Sequence, residues 1–125
     1  MPALGRVDPS NIGKNPKHKC KGCVKCNHPS SGPPLHGSPD VNVDKTPALR
    51  ATGPSGSPPD GGTHNAGQCC GDGNWICAVA QDRNVRIDGY LAFCDTDKTK
   101  HDDDGNFGTL KVGGTPDVFV GDGGK

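Results

Sequence analysis

One short pattern occurs three times in this chain and limits its fold more than any other feature. Gly37-Ser38-Pro39-Asp40-Val41-Asn42-Val43-Asp44, Asp82-Arg83-Asn84-Val85-Arg86-Ile87-Asp88-Gly89 and Gly114-Thr115-Pro116-Asp117-Val118-Phe119-Val120-Gly121 each read as a turn followed by an alternating strand. On that reading Val41 and Val43, Val85 and Ile87, and Val118 and Val120 share a face. Aligning Val41 with Val85 also aligns Ala48 with Ala92, so two repeats continue in step as Pro47-Ala48-Leu49-Arg50 and Leu91-Ala92-Phe93-Cys94. The third repeat lacks its second strand before Lys125, and Pro2-Ala3-Leu4-Gly5-Arg6 reads like the missing piece. A repeat divided in this way implies a closed, pseudo-threefold arrangement in which the last strand meets the first. Three apolar rows would then converge on one axis.

Such convergence suits a chain with little to bury. Large apolar side chains are scarce, with one Met, one Trp, one Tyr and three Phe against 20 Gly and 12 Pro. Core packing alone would not offset the entropy of ordering 125 residues. All acidic residues are Asp, which favours turns and caps, and no stretch spaces apolar residues at a helical period. The expected fold is therefore all-β, a single domain over 1–125 with strands near 37–50, 77–94, 110–122 and 2–7. Between the repeats lie Gly-, Pro- and Asp-rich insertions, roughly 8–36, 51–75 and 95–109, expected as long loops.

The missing stability has to come from staples, and the chain carries 7 Cys and 5 His. The N-terminus lacks the apolar run of a secretory signal, and no stretch is long and apolar enough to span a membrane. A soluble protein made in the cytoplasm uses cysteine more for metal than for disulfides. The densest cluster is His18-Lys19-Cys20-Lys21-Gly22-Cys23-Val24-Lys25-Cys26-Asn27-His28. Cys-x2-Cys lets two thiolates face one ion, and Cys20, Cys23, Cys26 and His28 offer up to four ligands locally. Zinc suits this set, with iron or an iron–sulfur cluster as the alternative. The ferredoxin-type run fails at its fourth position, Ser30, so a cluster would need Cys69 or Cys70. Cys77, in an apolar stretch, reads as a small buried hydrophobe, while Cys94 fits either role.

The Met-Pro-Ala start, Gly-Ser-Pro-Asp-Val-Asn-Val, Pro-Ala-Leu-Arg at 47–50, and Gly-Thr-Pro-Asp-Val-Phe-Val near the end resemble the PAAR-repeat family. The resemblance covers most of the chain apart from the insertions. It implies a small conical pseudo-threefold β domain with long loops and a metal-stapled tip. It also implies a structural function: one copy caps the trimeric spike of a contractile tail or injection machine, such as a phage tail or type VI secretion apparatus. The blunt face would dock on the spike, and the point would help to pierce the target cell envelope. The expected location is the tip of a virion or injection particle. The resemblance further implies a metal, usually zinc, held by His and Cys from different insertions. That points to His64 and Cys70 in the second insertion and His101 in the third, joined by Cys20, Cys23, Cys26 or His28 from the first. The number of cysteines departs from the family pattern and would supply two sites.

Other signals are weaker. Lys14, Lys17, Lys19, Lys21 and Lys25 surround the first cysteines, but the chain has zero net charge and no aromatic partner interleaves them. They read as a solvated loop balancing thiolate charge, so no nucleic-acid partner and no stable membrane anchor is expected. Asp102-Asp103-Asp104-Gly105-Asn106 misses the EF-hand pattern, since Lys100 and Lys111 stand at its first and twelfth positions. His36 reads as an exposed loop residue. No catalytic fingerprint is present, and no enzyme activity is expected. Two other classes stay open: a zinc-binding interaction module and a disulfide-rich extracellular domain.

Overall fold

The computed structural model describes residues 2–16, 30–43, 45–51, 60–65, 72–81, 83–101, 107–114 and 118–120. Among them there is no helix. The strands are β1 (Asn11–Asn15), β2 (Ser30–Gly32), β3 (Pro34–His36), β4 (Asn42–Val43), β5 (Thr46–Pro47), β6 (Gly61–Asn65), β7 (Asp72–Val79), β8 (Arg86–Ile87), β9 (Tyr90–Leu91), β10 (Lys98–His101) and β11 (Gly108–Val112). The all-β expectation holds.

The repeats fold as short ribbons tied to one another in a cycle. β4 pairs with β5 and β8 with β9, both antiparallel. The second ribbon turns through Asp88 (φ 55°) and Gly89 (φ 85°), the left-handed pair that a tight two-residue hairpin needs. The third ribbon joins the two ends of the chain, through the Ala3–Phe119 bridge and the Val120 amide donating to the Pro2 carbonyl (2.9 Å). Segments that follow the ribbons then bond in a ring. Leu49 donates to Gly5 (3.0 Å), Gly5 to Phe93 (2.9 Å) and Phe93 to Leu49 (3.1 Å), all through backbone groups. Bridges Leu4–Cys94, Arg6–Ala48 and Arg50–Ala92 repeat the same relation.

Strand periodicity gives this ring two faces. Leu4, Ala48 and Ala92 point one way and pack with Val43, Ile87, Val120 and Cys94. Leu49, Ala51 and Phe93 point the other way and pack with Trp75, Cys77 and Leu110. Only one member of each expected apolar pair is fully used. Val43, Ile87 and Val120 are buried, whereas Val85 and Val118 are each 38% exposed and Val41 only flanks the cluster. Val41 and Val85 precede the paired residues of β4 and β8, at the rim of ribbons two residues long.

The stretches 8–36, 51–75 and 95–109, expected as loops, are where the sequence reading needs correction. They carry β1, β2, β3, β6 and β10, the first half of β7 and the start of β11. Three hairpins, β1–β2, β6–β7 and β10–β11, close into a six-stranded barrel through the pairs β1–β11, β10–β7 and β2–β6, and β3 extends the sheet from β6. So narrow a barrel holds few large side chains, which is why its strands are rich in Gly, Ser, Thr and Asn instead of the β-branched residues by which strands are recognised. Trp75 fills much of it at 1% exposure and donates its indole N–H to the Gly32 carbonyl (3.1 Å). Among the described residues no helix is long and apolar enough to cross a membrane.

Glycine makes room for these large residues. A Cβ on Gly13 would lie 2.3 Å from the Trp75 ring, and one on Gly5 would lie 2.7 Å from Leu110 and 2.8 Å from the Phe93 carbonyl oxygen. Gly13→Ala would gain about 0.4–1 kcal/mol through a less flexible unfolded chain. Overpacking against a buried ring costs about 1–3 kcal/mol. The clash outweighs the gain, so Gly13→Ala and Gly5→Ala are each expected to lower stability, measured as a lower denaturation midpoint with an unchanged m-value. An unchanged or higher midpoint would contradict this packing.

Candidate metal centre

Where each segment of the ring leaves it, a carboxylate or amide side chain holds the backbone. Asn11 Oδ1 accepts from the Arg6 amide (3.1 Å), Asp60 Oδ2 from the Arg50 amide (2.8 Å) and Asp97 Oδ2 from the Cys94 amide (2.8 Å). Two of these carboxylates also form buried, forked ion pairs. Arg50 Nε and Nη2 reach Asp60 at 2.9 Å each, and Arg83 Nη1 and Nη2 reach Asp97 at 2.9 and 3.0 Å. Such pairs keep a buried charge satisfied and pin the start of the barrel strand. Hydrogen bonding to Asp60 raises the Arg50 pKa further, so this guanidinium stays charged.

Four residues beyond each anchor stand Asn15, His64 and His101, at 0%, 3% and 0% exposure. Because strand side chains alternate, residues 60, 62 and 64 share a face, as do 97, 99 and 101. The anchors therefore set the depth of both histidines. His64 and His101 come together, with Nδ1 to Nδ1 at 2.9 Å and the rings stacked 4.9 Å apart at 14°. Trp75 stacks beyond His101 at 6.3 Å and 23°. His101 Nδ1 also lies 3.0 Å from Ser30 Oγ, and its Nε2 lies 2.9 Å from Thr99 Oγ1.

Two Nδ1 atoms this close form a hydrogen bond in which one ring donates and the other accepts. Imidazole nitrogen is an ordinary zinc donor, so His64 and His101 would be the two described residues to hold such an ion. The donor set fits a metal in this respect. Among the described residues no group of three His, Cys, Asp or Glu converges. Cys20, Cys23, Cys26, His28 and Cys70, the other expected ligands, lie outside the described residues. Residues 16–29 and 66–71, which contain them, follow directly from the ends of β1 and β6. Thus the structure joins the histidines of the second and third insertions, and Asn15 takes the corresponding place in the first.

Sequence reading missed Asp60, Asp97, Thr99 and Ser30 as parts of this centre. A signal for the first three was present: Asp60-Gly61-Gly62-Thr63-His64, Asp97-Lys98-Thr99-Lys100-His101 and Asn11-Ile12-Gly13-Lys14-Asn15 share one spacing of polar and small residues. His36 is exposed as expected, though on strand β3.

Cys77 and Cys94 are free, fully buried thiols. Burial pushes Cys77 well up, and it pushes Cys94 up to about 12 against the pull of Arg83. Cys77 therefore has the expected character of a small hydrophobe, and Cys94 shares it. Both are expected to resist a water-soluble thiol reagent at neutral pH and to react once the protein is denatured; rapid labelling in the folded state would contradict their burial. The folded state holds the Cys94 proton more tightly than the unfolded one, so this contribution is complete below pH 9.0 and fades as pH rises towards about 12. Thermal midpoints measured across that window are expected to fall less steeply in Cys94→Ala than in the parent. Comparison with known proteins finds no matching family model, curated protein or solved structure.

Proposed function

We propose that this protein is the tip of a trimeric spike in a contractile tail or injection machine, a structural piece without enzymatic activity. The observation that carries this reading is the ring joining Gly5, Leu49 and Phe93. It lets one chain offer three related sectors about an axis, so a single copy can seat on a trimer without leaving two of the partner's three faces unmatched. On this reading the ribbon end is the blunt docking face, and the chain narrows as a cone towards the His64–His101 end. The tip meets the target cell envelope when the spike is driven forward, and the protein resides on a phage tail or a secretion-type particle.

A load-bearing point of this size has little core, and a bound metal supplies what packing does not. In this proposal zinc is held by His64 and His101, with remaining ligands from Cys20, Cys23, Cys26, His28 and Cys70. The metal would contribute electrostatic cross-linking of the strand ends, while the chain's own residues orient the two imidazoles and keep water out. Chelation is expected to lower the thermal midpoint by roughly 10 °C. Zinc content should fall in His64→Ala and His101→Ala. A metal-free chain indifferent to chelators would remove the zinc from the proposal.

The spike reading itself is tested by co-expression with the trimeric spike protein encoded in the same genome, followed by native mass spectrometry. The expected assembly is one chain per three spike chains. Three chains per trimer, or no complex, would overturn it.

A further inference from the structure

We propose that Thr99 is a positioning residue that makes His101 a metal ligand through Nδ1, by holding the proton on Nε2. This inference rests on the proposed metal centre and names how one of its ligands is set.

His101 has two ring nitrogens with different surroundings. Nε2 faces Thr99 Oγ1 at 2.9 Å, whereas Nδ1 faces His64 Nδ1 at 2.9 Å and Ser30 Oγ at 3.0 Å. A neutral imidazole carries one proton, and a metal takes the nitrogen that lacks it. If Thr99 Oγ1 accepts the Nε2 proton, Nδ1 keeps its lone pair on the side of the ring that carries His64 and Ser30, and it is the nitrogen that would take a metal. The opposite tautomer would leave Nε2 as the basic nitrogen, facing Thr99 and not His64. In this proposal the Thr99 hydroxyl acts as the acceptor that leaves Nδ1 as the ligand atom.

Thr99 is itself rigid. It is fully buried on β10, two residues after the Asp97 anchor, and it pairs with Cys77 on β7 and Gly108 on β11. A Cβ on Gly108 would lie 2.3 Å from the Lys14 carbonyl oxygen and 2.8 Å from Thr99 Oγ1, so the hydroxyl is closely packed on this side. Ser30 reaches His101 from β2, across the barrel, and is buried as well. Thr99 thus touches the ring from its own strand, β10, and Ser30 from β2, and partners of this kind fix ring orientation and ligand basicity.

The test is a zinc titration of the full chain, followed at the ring resonances of His64 and His101 so that a cysteine-only site does not obscure the result. Thr99→Val, which keeps the shape but removes the acceptor, is expected to weaken zinc binding at these histidines about 10–100-fold, and Thr99→Ser should restore it. Equal affinity in Thr99→Val and the parent would overturn the role of Thr99. Heteronuclear NMR of the zinc-loaded parent gives an independent reading should Thr99→Val fail to fold. Protonated Nε2 with metal-bound Nδ1 supports the proposal, and metal on Nε2 overturns it. A parent chain whose histidine resonances ignore zinc would instead defeat the metal centre, and this inference with it.

Discussion

Gly5, Leu49 and Phe93 hold one another in a closed cycle of backbone hydrogen bonds, and the other layers of the molecule are registered to it. Each bond contributes on the order of 1 kcal/mol net, less than the entropy of bringing such distant residues together. The cycle matters through geometry. It places alternate side chains of three segments on two faces, one gathering Leu4, Ala48, Ala92 and the ribbon residues, the other gathering Leu49, Phe93 and Trp75. Two small clusters then supply the burial that the bonds lack. The same constraint explains the unequal residues at the three ring positions: with Leu49 and Phe93 filling the barrel side, Gly5 is what the remaining space admits.

Polar groups carry an unusual share of the organisation beyond the ring. Asn11, Asp60 and Asp97 occupy corresponding positions and satisfy backbone amides that would otherwise be buried at a cost of about 1–3 kcal/mol each. The three positions solve the problem differently. Arg50 both donates its amide to Asp60 and forks onto it with its guanidinium, whereas at the third position the chain has Cys94, and Arg83 reaches Asp97 from outside the ring. Asn11 is neutral. Threefold geometry is kept by the backbone while the side chains diverge, and so one chain can hold two histidines and an asparagine at related depths. An interior of this kind is specific because each member has few alternative partners.

Some of this was legible in the residues. The alternating Val41/Val43, Val85/Ile87 and Val118/Val120 repeats, the step from Val41–Ala48 to Val85–Ala92 and the resemblance of Pro2–Arg6 to 47–50 pointed to a closed arrangement, and the chain does close through Ala3–Phe119. The barrel was not legible. Its strands read Asn-Ile-Gly-Lys-Asn, Ser-Ser-Gly and Gly-Gly-Thr-His-Asn, which match turn chemistry better than strand chemistry. They are strands because their neighbours supply ladder partners, and their glycines are there because Gly13 faces the Trp75 ring while Gly32 and Gly62 lie against the Thr63 and Pro33 carbonyls.

Composition and spacing alone pointed to a fold without helix, as the described residues have, to three short alternating segments each giving one residue to a shared cluster, and to His64 and His101 in different insertions. Those properties follow from local rules: Asp, Gly and Pro disfavour helices, and alternation marks a strand face. That the two histidines meet at 2.9 Å, that Thr99 and Ser30 flank one of them, and that the insertions form a barrel were decided only by tertiary structure. The residues concerned lie as far as 71 positions apart, as Ser30 and His101 do, and no local preference encodes a contact at that distance. It arises only when the closing of the ring sets the register of every strand that leaves it.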